Sequence, residues 1–287
     1  MSTHQSAPQS SAAQSETAQS ETAQSSPAPA PTGSSTDDWI IDQAGKSNST
    51  FPWDEFDSLW YLEHNYATVR DDDHQIMELI AKFFTAKAPR KGAAGLDVGT
   101  GTNLYPMLAM LPFCDQITLR EHAASNVRWL ESEIASYSRS WDAFWKILSH
   151  GRPPYEKIAD PRQLVRFTAT VEKGSIFHLE QERWDIGTMF FVAESITALR
   201  REFVRATRRF IGALKRRAPF AAAFMKRSQG YNVGKIKFPA VAVNEDDIRR
   251  CLENITHELT FHQIHTTTPL RDGYEGMILV TGRAGRK

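Results

Sequence analysis

No stretch of this 287-residue chain approaches the roughly 18 consecutive apolar residues that a bilayer-crossing helix needs. Cysteine is almost absent. Cys114 and Cys251 alone cannot build a disulfide framework or a cysteine-rich zinc site. Both lie in apolar stretches, which suits buried free thiols. Charge of one sign is missing too: 34 Lys and Arg balance 34 Asp and Glu. That removes the overall attraction to phosphates on which a general nucleic-acid binder depends. The opening MSTHQSAPQS has neither a basic nor an apolar region, so no secretory leader is expected. These absences point to a reducing, cytoplasmic setting with no membrane or nucleic-acid partner. Oligomeric state has no signature here.

What is present begins with a biased segment. Residues 1–36 are almost wholly Ser, Ala, Gln, Thr, Glu and Pro, with Ser-Glu-Thr-Ala-Gln repeated in tandem from Ser15 and Ser20. Such composition buries too little apolar surface to offset its ordering entropy, so a disordered tail is expected. Order is expected from Trp39 or Phe51 onward. Apolar residues then recur at helical spacing: Leu59, Leu62 and Tyr66, followed by Ile76, Leu79, Ile80 and Phe83. Asp71, Asp72 and Asp73 mark a helix N-terminus between them. Residues 37–92 therefore form a helical cap on the domain that follows, 93–287.

In that domain the pattern alternates. Strands are predicted at 93–98, 116–119, 165–171, 184–192 and 220–225. Helices are predicted at 104–111, 124–137, 196–214 and 245–253. Two β-rich runs, 259–265 and 276–280, close the chain around a turn with Pro269 and Gly273. This predicts an α/β fold: a mostly parallel sheet, helices on both faces, and an antiparallel C-terminal strand.

The central motif is Gly95-Leu96-Asp97-Val98-Gly99-Thr100-Gly101-Thr102-Asn103. Glycines after a first strand let the backbone turn tightly against a ligand, and the next helix aims its free amides at it. Glu121 follows about twenty residues on, where nucleotide-binding folds place a carboxylate for ribose hydroxyls. Dinucleotide enzymes carry a third glycine; here that position is Leu104, which disfavours an NAD-dependent oxidoreductase.

Four blocks resemble the small-molecule methyltransferases related to nicotinamide and phenylethanolamine N-methyltransferases. They are FDSLWYLEHNY at 56–66, LDVGTGTNLY at 96–105, ITLREHAASN at 117–126, and GKIKF at 234–238 with the closing strand pair. The resemblance implies a Rossmann-like fold and S-adenosylmethionine as cofactor. It implies that Tyr61 and Tyr66 close over the methionine part. Gly99, Thr100 and Gly101 form the loop of close approach, and Tyr105 touches the carboxylate end. Glu121 holds the ribose, His122 flanks the adenine, and Asn126 bonds near the ribose. Gly174 and Ser175 stand where the family often has Asp-Val to read the adenine amine.

The acceptor is less defined. Aligned through Gly234 and Phe238, the family's acceptor-orienting carboxylate falls on Phe224, which argues against nicotinamide as the substrate. Glu194 follows an apolar run at the end of the fourth predicted strand. It suits a base or a group orienting a cationic acceptor, or else a cap for the following helix. Phe190, Phe191 and Phe224, with Trp53, Trp60, Trp141, Phe144 and Trp145, suggest an aromatic-walled pocket for an indole or aromatic amine. The alternative is a binding protein for the same cofactor that has lost catalysis. His257, His262 and His265 fall on both faces of a strand-like segment, so no metal is expected. The arginines of 200–217 fit the solvated face of an amphipathic helix.

Overall fold

The computed structural model describes residue 40 and residues 45–89, 92–266 and 268–285. The tail at 1–36 and Trp39 lie outside the described residues. Two helices, α1 (Ser58–Tyr66) and α2 (Asp71–Lys87), precede the sheet. Asp57 caps α1 by accepting the Trp60 amide at 3.0 Å. Asp71, Asp72 and Asp73 fill the first turn of α2, and Lys87 its last, complementing the helix dipole at both ends.

The sheet then begins with β1 (Ala93–Val98), α3 (Tyr105–Met110), β2 (Cys114–Glu121) and α4 (Ala124–Ala135). Three helices follow, α5 (Trp141–Ser149), α6 (Pro153–Glu156) and α7 (Pro161–Thr168), before β3 (Ala169–Lys173). The remainder is β4 (Ile186–Phe190), α8 (Arg200–Ala213), β5 (Pro219–Met225), the hairpin β6 (Tyr231–Val233) and β7 (Ile236–Phe238), α9 (Glu245–Leu252), β8 (Thr256–Ile264) and β9 (Met277–Ala284).

Seven strands form one sheet in the order β3-β2-β1-β4-β5-β9-β8. The first five pair in parallel, and β9 runs antiparallel between β5 and β8. This is the expected Rossmann-like arrangement. The chain steps outward from β1 through β2 to β3, then returns to lay β4 on the other side of β1. Beyond the carboxyl ends of β1 and β4 the crossovers diverge, leaving the crevice in which doubly wound sheets bind ligands.

Two apolar clusters cover the two faces. On one, α2 contributes Ile76, Met77, Ile80 and Phe84, packed with α3 and with Trp141, Phe144 and Leu148 of α5. On the other lie Phe203, Val204, Phe210 and Ile211 of α8 with Ile248 and Leu252 of α9. So α8 is amphipathic as its spacing predicts.

Helices α5 and α6 and the β6–β7 hairpin are not among the predicted elements, and two predicted elements start elsewhere. Residues 165–168 continue helix α7 instead of opening a strand. Asp160 accepts the Gln163 amide at 3.0 Å and Pro161 takes the first helical position, so this start outweighs the β-propensity of Val165, Phe167 and Thr168. The helix predicted from 196 begins only at Arg200. Residues 191–199 are held instead by contacts to distant loops, with the Val241 amide on the Glu194 carbonyl at 2.7 Å and the Ala198 amide on that of Lys46 at 3.2 Å.

Candidate functional site

Past Val98 the chain turns through Gly99 and Gly101, both left-handed, with φ of 62° and 56°. A Cβ on Gly99 would lie 2.7 Å from both methyls of Val192, just past the end of β4. Only glycine permits that approach. The Gly101 amide donates to Glu121 Oε2 at 2.8 Å, and Glu121 Oε1 accepts the amides of His122 and Ala123 at 2.7 and 2.8 Å. One buried carboxylate thus ties the loop after β1 to the loop after β2. A carboxylate has about four acceptor positions, so room for a ligand hydroxyl remains. Burial raises the Glu121 pKa, and the three amides oppose that rise. Asn126 accepts the Ser58 hydroxyl at 2.7 Å, which joins α4 to α1 and leaves its amide nitrogen toward Gly101.

These groups border one cleft. Of the residues singled out in the sequence, Tyr61, Tyr66, Gly99, Thr100, Gly101, Glu121, His122, Asn126, Gly174, Ser175, Phe190 and Phe191 all line it. Its wall also includes Trp53, expected as a pocket aromatic, and residues for which no role was expected: Thr102, Asn103, Arg120 and Tyr231. Asn103 lay inside the glycine motif, and Arg120 sits one residue before the flagged Glu121, so both had a signal. Thr102 Oγ1 and Asn103 Nδ2 are buried with no hydrogen-bond partner among the described residues. Native interiors rarely leave such groups unmet, so both suit contact with a ligand.

At the other end of the cleft, Ser175 Oγ accepts the Phe177 amide at 3.2 Å, and the Arg120 guanidinium lies flat on Gly174. A Cβ at 174 would stand 2.6 Å from that guanidinium carbon. The absent Asp side chain is therefore replaced by a cation from the neighbouring strand, which also pairs with Glu172 at 2.8 Å.

The cleft fits a nucleoside carrying an amino-acid end. Glu121 can accept from a diol, Thr102 and Asn103 can bond a zwitterionic terminus, and Arg120 and Ser175 line the same cleft. A family model described as the NNMT/PNMT/TEMT family matches residues 48–283. The chain belongs to that family. It is a family of S-adenosylmethionine-dependent methyltransferases, and S-adenosylmethionine is its cofactor. No curated protein matches the sequence. The fold is similar to magnesium protoporphyrin IX methyltransferase from Synechocystis PCC 6803 with bound SAM, at a TM-score of 0.52 and 11% identity over 83% of this chain and 99% of that one. It is also similar to a SAM-dependent methyltransferase from Methanosarcina mazei, with a TM-score of 0.50 and 12% identity over 71% and 98% of the two chains.

This family member has a second, smaller cavity that adjoins the first. Tyr61, Tyr66, Phe191 and Tyr231 border both. Phe191 holds a left-handed backbone, φ 59°, which is unusual for an aromatic residue and is typical of strain kept at functional sites. Its amide is fixed on the Ala223 carbonyl at 2.7 Å.

Three flagged residues lie off the main cleft. Tyr105 is fully buried behind Tyr66, its hydroxyl without a hydrogen-bond partner among the described residues. Phe224 packs edge-on against Phe203 on the opposite face of the sheet. Alternation along β5 sends Ala221, Ala223 and Met225 to the cavity side, and it is Met225 that lines the second cavity. The apolar ring at 224 thus says nothing about the acceptor. Glu194 is fully buried at the end of β4, and Leu199 holds the cap position of α8, so Glu194 does not cap that helix. Its Oε1 accepts the Met225 amide at 2.8 Å, and Oε2 has no partner among the described residues. Burial raises its pKa to about 7, against the Met225 amide and the more distant Arg271.

Of the aromatic residues, Trp53 lines the cleft, whereas Trp141 and Phe144 are core side chains. Trp145 packs on Tyr155, and Trp60 stacks on His64. His257 Nδ1 lies 3.1 Å from the Gly285 carbonyl. No group of three or more metal-ligating side chains is gathered among the described residues, and no helix among them is long and apolar enough to cross a membrane.

Proposed function

We propose that this chain transfers the methyl group of S-adenosylmethionine to a small acceptor with an aromatic or amine character, held in the second cavity. The observation that carries this reading is the shared wall. The cleft of the glycine loop and a smaller cavity meet across Tyr61, Tyr66, Phe191 and Tyr231. When bound, S-adenosylmethionine supplies a methyl group on a sulfonium, so the acceptor's lone pair forms the new bond to carbon as the carbon–sulfur bond breaks and its electron pair returns to sulfur.

With the donor already activated, the protein's task is proximity and orientation. Gly99 and Gly101 bring backbone to the donor, Glu121 and Asn126 hold its ribose, and Tyr66 with Asn103 meets its amino-acid end. Tyr61 and Phe191 form the aperture between donor and acceptor. Glu194 is fully buried and holds the amide of Met225, a residue that lines the acceptor cavity. A carboxyl whose pKa is raised to about 7 accepts or holds a proton near neutral pH, which suits a nucleophile that must shed one.

Isothermal titration with S-adenosylhomocysteine tests the donor site, beside a Gly99→Arg control and an NAD titration. Binding by the wild type alone is expected. Binding of NAD in its place, or equal binding by the control, would overturn the reading. Transfer of labelled methyl to an acceptor panel then separates an enzyme from a binding protein.

A further inference from the structure

The second cavity is charged in an unusual way. Arg271, on the loop between β8 and β9, presents its guanidinium to it. The guanidinium carbon lies 5.2 Å from the Tyr231 ring centre and 5.5 Å from that of Tyr274. One Nη2 hydrogen bond, to Ser228 Oγ at 3.0 Å, is its only polar contact among the described residues, and its Nε is buried without a partner. Arg70, on the same cavity, is different. It forms a bidentate pair with Asp72 at 3.1–3.2 Å and also donates to the Thr268 carbonyl at 2.7 Å. That pair neutralises Asp72 and leaves the neighbouring Asp73 as the cavity's own carboxylate. Asp73 is 3% exposed and no cation lies within ion-pair distance of it among the described residues. The Tyr105 hydroxyl stands beside it, and Glu194, whose Oε2 has no partner among the described residues, adjoins the lining residues Ser195 and Met225.

No ion pair joins Arg271 to Asp73 or to Glu194 among the described residues. The Arg271 guanidinium and the Asp73 carboxyl thus share one cavity, walled by Tyr61, Phe191, Tyr231 and Met225, with no ion pair between them among the described residues. Buried charges persist when something pairs them, and a planar guanidinium matches a carboxylate in two hydrogen bonds.

We propose that this cavity takes a zwitterionic acceptor of the amino-acid type, its carboxylate on Arg271 and its amine on Asp73. This rests on the methyltransferase reading above and narrows its acceptor. A simple amine would satisfy Asp73 and leave Arg271 unpaired. A simple acid would do the reverse. Only a molecule carrying both charges a few ångströms apart satisfies both walls.

The test uses the full chain with labelled S-adenosylmethionine. Acceptors are the twenty protein amino acids, the decarboxylated amines of the aromatic ones (tryptamine, tyramine, phenethylamine) and the corresponding aryl propionates lacking the amine. For the preferred amino acid, kcat/KM is expected to exceed that of its decarboxylated amine at least 100-fold. Arg271→Met is expected to erase that preference, mainly through KM, with turnover of the amine changed less than threefold. Arg271→Lys should keep part of it. Asp73→Asn should lower turnover of amino acid and amine alike.

S-adenosylhomocysteine titration of each variant separates two failures. If the wild type does not bind it, the methyltransferase reading falls first. If it binds and the amines are preferred, or Arg271→Met weakens amine and amino acid equally, the zwitterion proposal falls while the methyltransferase reading stands. The proposal falls likewise if S-adenosylhomocysteine binds yet no amino acid is turned over or bound.

Discussion

The Glu121 carboxylate accepts the amide of Gly101 at 2.8 Å, across twenty residues of sequence and from the adjacent strand end. With the His122 and Ala123 amides on its other oxygen, this side chain shapes the loop as well as bordering the ligand space. Glu121→Ala would leave three amides without that acceptor. We expect a loss of about 2 kcal/mol in stability, given roughly 1–3 kcal/mol for an orphaned buried group with partial rescue by water. Affinity for S-adenosylhomocysteine should fall at least 100-fold, read by titration on protein shown to be folded by circular dichroism. Unchanged affinity would remove Glu121 from the donor site.

Gly99 offers a sharper geometric test. A methyl there meets both methyls of Val192 at 2.7 Å and must adopt a left-handed φ of 62°. Gly99→Ala is expected to destabilise by about 2–3 kcal/mol, of which roughly 1 kcal/mol is backbone strain. Shaving the neighbour relieves the clash and leaves the strain. Val192→Ala in the Gly99→Ala background should therefore show a favourable coupling of about 1 kcal/mol in a double-mutant cycle followed by urea unfolding. Strict additivity would mean that the two side chains do not meet.

The glycine loop, Glu121, Tyr61 and Tyr66 were legible because their chemistry is local: a strand end, a tight turn, a carboxylate at fixed spacing. Phe224 was misjudged because alignment carries position but not the face of a strand, and alternation turns it away from the cavity while Met225 faces it. Residues 165–168 were misjudged because β-branched and aromatic side chains outvoted a Pro161 start capped by Asp160. Arg271 and Asp73 had no sequence signal as a pair. They lie about two hundred residues apart, and only the meeting of α2 with the β8–β9 loop puts them around one cavity.

Both cysteines are buried, and burial pushes the Cys114 thiol well above its usual range. A thiolate is the reactive form, so neither cysteine should react with a thiol reagent such as DTNB in native protein. Two equivalents should appear on adding guanidinium chloride. Rapid labelling of the native form would place at least one of them in a mobile, opened region.

Glu194 links the site to pH. Burial raises its pKa to about 7, with the Met225 amide opposing. For a carboxyl this favours the protonated folded form. Its stabilising contribution is complete below the unfolded pKa and is lost as pH rises toward 7, because the unfolded chain ionises first. A glutamine mimics the protonated acid and keeps an oxygen for the Met225 amide, but does not titrate. The stability of Glu194→Gln minus wild type should therefore grow between pH 5 and pH 7.5 by roughly 2 kcal/mol, because a carboxyl raised from 4.5 to about 7 is worth about 3 kcal/mol in full and this interval spans only part of its titration. The buried acids Asp73 and Asp97 titrate in the same range but are common to both proteins and cancel in the difference. Urea denaturation across that range measures it. A flat difference would mean that Glu194 is ionised in the folded state throughout, held by a charge in the acceptor cavity; if that charge is Arg271, the difference between Arg271→Met with and without Glu194→Gln would regain its pH dependence.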